Sequence, residues 1–371
     1  MKKLNIIFLA LIIISCSSAD SISDNVPTNN TDEVTTTVVN NDKESNDTTT
    51  TTSIADVYIF NEEKMSPFTG LELPPELWLK RPRRVLAFKV DNNLNARPQS
   101  GLEDADSVFE ILVEGGMTRF LAFFYDKTSV YVGPIRSARP TDPTLVRPYG
   151  GILVVSGATP GLVPQIRELG VAVLEEQQAP AMFRITSRNA PHNLYGDTEL
   201  IRKIIDEKGY PFNPPPGPIY SFGYNQDNWK SGANRVTITY SDFTKIIWKL
   251  DGTKYSRFII DGYAPSPEAM AHNIINRDGD TQILQTETIA VIQGAIYIDE
   301  ATTLPSVLTV GVGPVFLFNN GNYIEGTWRR NDISEPFEFY DEEQNPIFVP
   351  PSKQWVHVLP LNSGEIVWSS S

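Results

Sequence analysis

The sequence predicts an α+β body: a layered N-terminal domain of mixed sheet with helices, followed by a mainly antiparallel β C-terminal domain. Three observations carry this. Short apolar runs bounded by Gly, Pro, Asn and Asp recur along the chain, the pattern of buried strands. Capped helical periodicity stays ahead of residue 213. Two hairpin signals, Asp251-Gly252 and Asn320-Gly321, fall after it. The stiff run Asn213-Pro-Pro-Pro-Gly-Pro218 separates the two patterns. The expected plan is therefore a signal peptide over 1–15, a tether over 16–55, an N-terminal domain over 60–212, a connector over 213–234 and a C-terminal domain over 235–368.

The N-terminus sets the compartment. Lys2 and Lys3 precede an apolar stretch from Leu4 to Ile14, too short for a permanent span. It ends in Ile13-Ile14-Ser15-Cys16, the pattern of a bacterial lipobox, in which Cys16 becomes the lipid-bearing first residue. Cys16 is the chain's one cysteine, so the exported body carries no internal disulfide. Ser17 to Ser53 is rich in Thr, Ser, Asp and Asn and lacks the apolar surface to offset ordering entropy. As a flexible coil it spans roughly 35 Å.

In the first domain, Arg84 to Val90 reads as a strand, and Ser100 to Glu103 as a capping box opening a short helix. The strand around Val108 turns through Gly115-Gly116 into an apolar strand from Arg119, and Val130 to Gly133 is a further short strand. Asp142-Pro143 caps a short helix, Gly151 to Val155 is a buried strand, and Thr159-Pro160 caps a helix running to Gly170. Val171 to Leu174 and Met182 to Thr186 are strands. Asp197 caps the helix Thr198 to Lys208, with Ile201, Ile204 and Ile205 inward and Glu199 paired to Lys203. Beyond 234 the strands are Arg235–Tyr240, Ile246–Leu250, Lys254–Ile260, Thr286–Gln293, Ala295–Ile298, Val315–Phe318 and Tyr323–Trp328, with one short helix near Glu268 to His272.

The formal charge is -14, or -16 without the leader lysines. A net-acidic body argues against non-specific nucleic-acid binding and against a peripheral basic hold on anionic lipid. Phosphate-loop, nucleophile-elbow and zincin motifs are absent from the sequence. His192, His272 and His357 lie in three separate regions, so neither a metal site nor a cofactor is expected.

What stands out is charge inside apolar strands. Glu110 interrupts the run Val108 to Val113, and Glu114, Arg119, Arg136 and Arg139 bracket the neighbouring runs. Such charges persist only when paired or when solvated in a cleft. Arg136 and Arg139, flanking Ser137, suit bidentate capture of a carboxylate or phosphate. Alternatively they neutralise Glu110 and Glu114. Either carboxyl with a raised pKa could act as a general acid; paired to arginine, it would be ionised and play a positioning role. Ser137 lacks a nearby base for nucleophilic work. His192, in a loop before a helix, suits a functional imidazole or a structural hydrogen bond.

Four motifs in one order resemble the YerB-like bacterial lipoproteins. They are Ala96-Arg-Pro-Gln-Ser-Gly101, Glu114-Gly-Gly-Met-Thr-Arg119, Gly133-Pro-Ile-Arg-Ser-Ala-Arg-Pro140 and Arg188-Asn-Ala-Pro-His-Asn-Leu-Tyr195; Gly326-Thr-Trp-Arg-Arg330 and Trp355 extend the likeness. The resemblance covers roughly residues 66 to 360 and implies a lipid-anchored, extracytoplasmic α+β protein. The family is a domain of unknown function, so it implies no activity. This chain carries Val155 where such proteins often have histidine, which weakens any mechanism needing one there.

The motifs add Arg97, Arg188, Asn193 and Tyr195 to Arg119, Arg136, Ser137 and Arg139 as ligand-binding candidates. The leading expectation is binding of a polar or anionic envelope component, a peptidoglycan or glycan fragment. The alternatives are an envelope-polymer hydrolase or lyase using Glu114, Glu110 and His192, and a scaffold for another envelope protein. Replacing Cys16 with Ala should release the protein from membranes into the soluble fraction, because each acyl chain contributes about 0.8 kcal/mol per buried methylene; retention on washed membranes would contradict lipid anchoring.

Overall fold

The computed structural model describes residues 58–80, 83–177, 180–213 and 216–371. The expected signal peptide, Cys16 and the whole of the tether lie outside them. One large mixed sheet organises the rest. Its strands are β1 (Leu86–Asp91), β2 (Ser107–Leu112), β3 (Thr118–Phe124), β4 (Ile152–Val154), β5 (Ala172–Leu174), β9 (Thr288–Gly294), β10 (Gly311–Asn319), β11 (Asn322–Arg330), β12 (Glu338–Tyr340) and β13 (Gln354–Pro360). They lie in the order β12-β11-β10-β9-β13-β2-β3-β1-β4-β5, and Lys230–Ser231 adds a short eleventh strand against β11. A second, antiparallel sheet is built from β6 (Arg235–Ser241), β7 (Thr244–Asp251), β8 (Lys254–Asp261) and β14 (Glu365–Ser369), extended by Met270–Ala271 and Gln285–Thr286. The body is α+β, as its sequence predicts.

The sheet crosses the Pro-rich boundary. β13 pairs in parallel with β2 on one side and with β9 on the other. The strand most central to the first half thus borrows its neighbour from the end of the chain, and the described residues form one compact unit. Because β13 hydrogen-bonds both flanks, it is buried along its whole length, Gln354 to Pro360.

Alternation along the strands divides the core in two. One face presents Phe88, Val108, Phe120 and Trp355 to the second sheet, through Tyr240, Ile246 and Trp248, and to the helix Thr198–Glu207, through Ile201 and Ile205. The other presents Phe109, Leu121, Phe123 and Val356 to the helices Asp142–Val146 and Leu162–Glu168 and to Tyr220 and Phe222.

Several local expectations are corrected. Ser100–Glu103 forms a turn, not a helix: Ser100 exchanges backbone hydrogen bonds with Gly133, and Gly101 has φ +82°. The third helix starts at Leu162 behind Gly161, later than Thr159-Pro160 suggested. Glu199 pairs with Arg83 and Arg202 rather than Lys203. Around Glu268–His272 there is a short strand, Met270–Ala271, and no helix, because His272 is drawn into the interior by Arg257 and Gln99.

That interior contact belongs to a sealed network at the seam of the two halves. The Glu110 carboxylate accepts from Arg257 Nη2 at 2.7 Å, Thr118 Oγ1 at 2.8 Å and Trp355 Nε1 at 3.0 Å. Glu110, Arg257 and His357 are each wholly buried. The guanidinium lies 5.4 to 5.8 Å from the rings of Phe120, Trp248 and Trp355, an aromatic cage that helps replace lost water. Trp248 donates to His357 Nε2 at 2.9 Å, so that ring carries its proton on Nδ1, facing Tyr240 and Glu110. Arg257 donates to His272 Nδ1, and His272 Nε2 then donates to Gln99 Oε1 at 2.7 Å. Both imidazoles are neutral: burial pushes His357 down to about 3, against the pull of Glu110, and burial together with Arg257 drives His272 well below its usual range. Glu110→Ala leaves Arg257 buried without its counter-charge, so unfolding free energy should fall by about 3–5 kcal/mol, read in urea as a lower midpoint at unchanged slope.

Candidate functional site

Strands β1, β2, β4, β5, β9 and β13 all run the same way, with β3 and β10 against them. Ligands of sheets with parallel strands gather outside the carboxyl ends of those strands. Here that edge carries Asp91 at the end of β1, Glu114 just past β2, Arg119 at the start of β3 and Ser156-Gly157 just past β4. Asp91 and Arg119 are register partners, whereas Glu110 sits opposite Phe120. Arg119 and Asp91 therefore project from one face of the sheet and Glu110 from the other.

The segment Arg136–Arg139 runs along this edge. Arg136 N donates to Lys89 O, Ser156 N to Arg136 O, and Ala138 N to Gly157 O. Arg139 grips Glu114 through Nη2 and, at 2.5 Å, through Nε, and Arg119 Nη2 adds a third contact at 3.4 Å. Burial would raise the Glu114 carboxyl, but Arg139 and Arg119 hold it at about 2. Beneath, Lys89 Nζ donates to Asp142 at 2.5 Å, and the other Asp142 oxygen takes the Arg139 amide. Burial brings Lys89 down to about 8, with Asp142 pulling it back up. Burial and then Arg139 lower Arg119 to about 10.

The outer part is more open. His192 Nδ1 lies 2.7 Å from Asp91 Oδ2, and Arg136 Nε lies 3.1 Å from the same oxygen without hydrogen-bond geometry. Among the described residues this is the one ion pair Arg136 makes, and its side chain is 20% exposed, that of His192 17%. The Ser137 and Ser156 hydroxyls lie 3.5 Å apart beside it, both half-buried.

The structure therefore brings Glu114, Arg119, Arg136, Ser137, Arg139 and His192 to one edge. It puts Glu110 on the other side of the sheet, out of reach of any solvent-borne substrate, which corrects the expectation that this carboxyl serves as acid or base. Arg97 spends its guanidinium on Asn92 and Asp261. Arg188 clamps the carbonyls of Ala96 and Pro98, and Asn193 ties Arg184 to Ile185 and Arg188. Tyr195 is buried, stacked 4.3 Å from Tyr131 and bonded to Arg188. These four build the loops that hold His192.

Sequence reasoning missed Lys89, Asp91 and Asp142. Lys89 carried the same signal as Glu110, a charge inside the apolar run Val85–Val90; Asp91 and Asp142 read as a strand end and a helix cap. Among the described residues no group of acids, histidines and cysteines is arranged to hold a metal.

A family described as "Protein of unknown function (DUF3048) N-terminal domain" matches residues 68–211, and its C-terminal domain matches 236–356. A relative from Bacillus subtilis (strain 168), "Putative lipoprotein YerB", is 29% identical over 299 residues, covering 80% of this chain and 86% of its own. The chain belongs to the YerB-like family. The crystal structure of YerB protein from Bacillus subtilis superposes with a TM-score of 0.68 at 26% identity, covering 82% of this chain and 99% of that one. Of the YerB-like motifs read in the sequence, the Arg136–Arg139 segment and the loop of His192 both end at the carboxyl edge. No helix among the described residues is long and apolar enough to cross a membrane.

Glu114 titrates below its usual value near 4.5, so its ion pairs add stability above that pH and lose it as pH falls toward about 2. Wild type should accordingly melt above Glu114→Gln at neutral pH, and the gap should close as pH falls from about 4.5 to about 2, by thermal melts across that window.

Proposed function

We propose that this is a lipid-anchored, extracytoplasmic protein whose carboxyl-edge cluster holds an anionic or polar group of a cell-envelope component, a peptidoglycan or glycan fragment. The observation that carries the reading is Arg136. Lys89, Arg119, Arg136 and Arg139 face the three carboxylates Asp91, Glu114 and Asp142, so the cluster carries one positive charge in excess, and Arg136, which faces Asp91 without a hydrogen bond, stands at its half-open end. A ligand carboxylate or phosphate fits the outer nitrogens of Arg136 in a bidentate pair, with the Ser137 and Ser156 hydroxyls and His192 Nε2 as further polar contacts. The inner Glu114–Arg119–Arg139 set carries one positive charge in excess in a mostly buried position and serves to fix Arg136–Arg139 in place.

A second reading, an envelope-polymer hydrolase or lyase, rests on the His192–Asp91 pair. A carboxylate 2.7 Å from Nδ1 orients an imidazole whose Nε2 is left to accept a proton. With Glu110 sealed and Glu114 held ionised, acid–base work would fall to His192. This reading expects fragment release from purified cell wall that disappears in His192→Ala.

Titrating the protein with purified muropeptides by isothermal calorimetry separates the two. Saturable binding without turnover, about tenfold weaker in Arg136→Ala for the loss of a charge-assisted hydrogen bond, is the expected result. No heat with any fragment would remove the carboxyl edge as a binding site.

A further inference from the structure

Two loops of the second half, residues 224–229 and 341–348, are held side by side by backbone pairing. Phe222 bridges Val349, Gly223 N donates to Val349 O at 3.0 Å and Val349 N to Ser221 O at 2.9 Å. Asn228 Nδ2 then reaches Asp341 Oδ2 at 3.3 Å, and the Asn345 amide closes on Asp341 Oδ1 at 2.8 Å. Between the loops lie two adjoining cavities of about 290 and 390 Å³ that share Asn228, Ile324, Asp341 and Asn345. With four lining residues in common, we read the two as one groove with room for more than one sugar ring.

The chemistry of the first cavity is aromatic and amide. Phe348, 41% exposed, and Trp229 line it, together with Asn225, Asn228 and Asn345. Tyr224, in the same loop, lies outside the lining and packs edge-on to Tyr58 at 5.7 Å. Phe348 gains its seat from Gly223, where a Cβ would come within 2.9 Å of Phe348 Cβ. A sugar ring has one apolar C–H face, which an aromatic face covers, and a rim of hydroxyls that both donate and accept. Carboxamides meet such hydroxyls in both senses, and a carboxylate accepts two of them. The second cavity sets the charge: Asp341, Glu325, Glu342 and Glu343 outnumber Lys230 there. An anionic polymer is repelled; a neutral or amine-bearing one is not.

We propose that this groove binds a glycan chain of neutral or amine-bearing sugars. It lies apart from the carboxyl edge in residues and in charge preference, and it does not depend on the reading of that edge. The full-length protein, in a detergent without a sugar headgroup, is titrated by calorimetry with the tetramers of N-acetylglucosamine and glucosamine and with polygalacturonate. Both tetramers should bind saturably and polygalacturonate should not. The double variant Trp229→Ala with Phe348→Ala should bind about tenfold more weakly, the combined worth of two ring contacts, while Lys203→Ala, at an exposed position on the helix Thr198–Glu207, binds as wild type does. Asn225→Ala, at an exposed position, should also weaken binding and carries the test if the double variant fails to fold by circular dichroism. Absence of saturable heat with both tetramers, unchanged affinity in Asn225→Ala, or preference for the polyanion would overturn the proposal.

Discussion

The pairing of Glu110 with Arg257 is the constraint around which the body is arranged. Neither group touches water, and taking two charges out of water costs several kcal/mol each before any attraction is counted. The cost is tolerable because most polar atoms nearby are hydrogen-bonded, Arg257 Nε being the exception. Thr118 and Trp355 complete the carboxylate, three aromatic rings face the guanidinium, and of the two neutral histidines His272 donates onward to Gln99 while His357 accepts from Trp248. Glu110 comes from the first half of the sequence, and Arg257, Trp248, His272, Trp355 and His357 come from the second. Neither half can bury its share alone without stranding a charge, so the network demands the continuous sheet in which β13 lies against β2.

The Pro-rich run at 213–218 divides the sequence, and the two family matches stop and start on either side of it. In space the division is weaker. A break in composition reports stiffness of the local chain; it carries no information about which distant strand will complete a ladder. Parallel pairing of β2 with β13 joins residues some 250 positions apart, and its trace in the sequence is that both strands, after a polar first residue, are apolar with one polar residue inside each, Glu110 and His357.

What was legible followed from local chemistry. The two hairpins at Asp251-Gly252 and Asn320-Gly321 form where the turn residues require them, and Asp197 caps its helix by accepting from the amides of Glu199 and Leu200. What failed was local chemistry overruled by tertiary demand. Ser100 could cap a helix, but its backbone is needed by Gly133. His272 fits a helical pattern, but its imidazole is needed by Arg257. The candidate site was half legible for the same reason. Charges within apolar runs revealed that Glu110, Arg119 and their neighbours must be paired, but which face each takes depends on the register, and a single step along β2 and β3 decides between the sealed side and the open edge.

That alternation explains how one short stretch of chain serves two purposes. On the inner face, charge is matched to zero and enclosed, which gives the halves a single way to join. On the outer face, the same density of charge is matched to within one cation and left partly wet. A body carrying a large net negative charge repels anions at long range, but screening confines that field to about 8 Å in physiological salt. Within that distance the one positive charge the cluster carries in excess, backed by low-dielectric strands and ending at the partly exposed Arg136, outweighs the distant carboxylates. On the proposed function, local sign rather than net charge selects what docks at the carboxyl edge, and the groove proposed between residues 224–229 and 341–348 follows the same rule with the opposite preference.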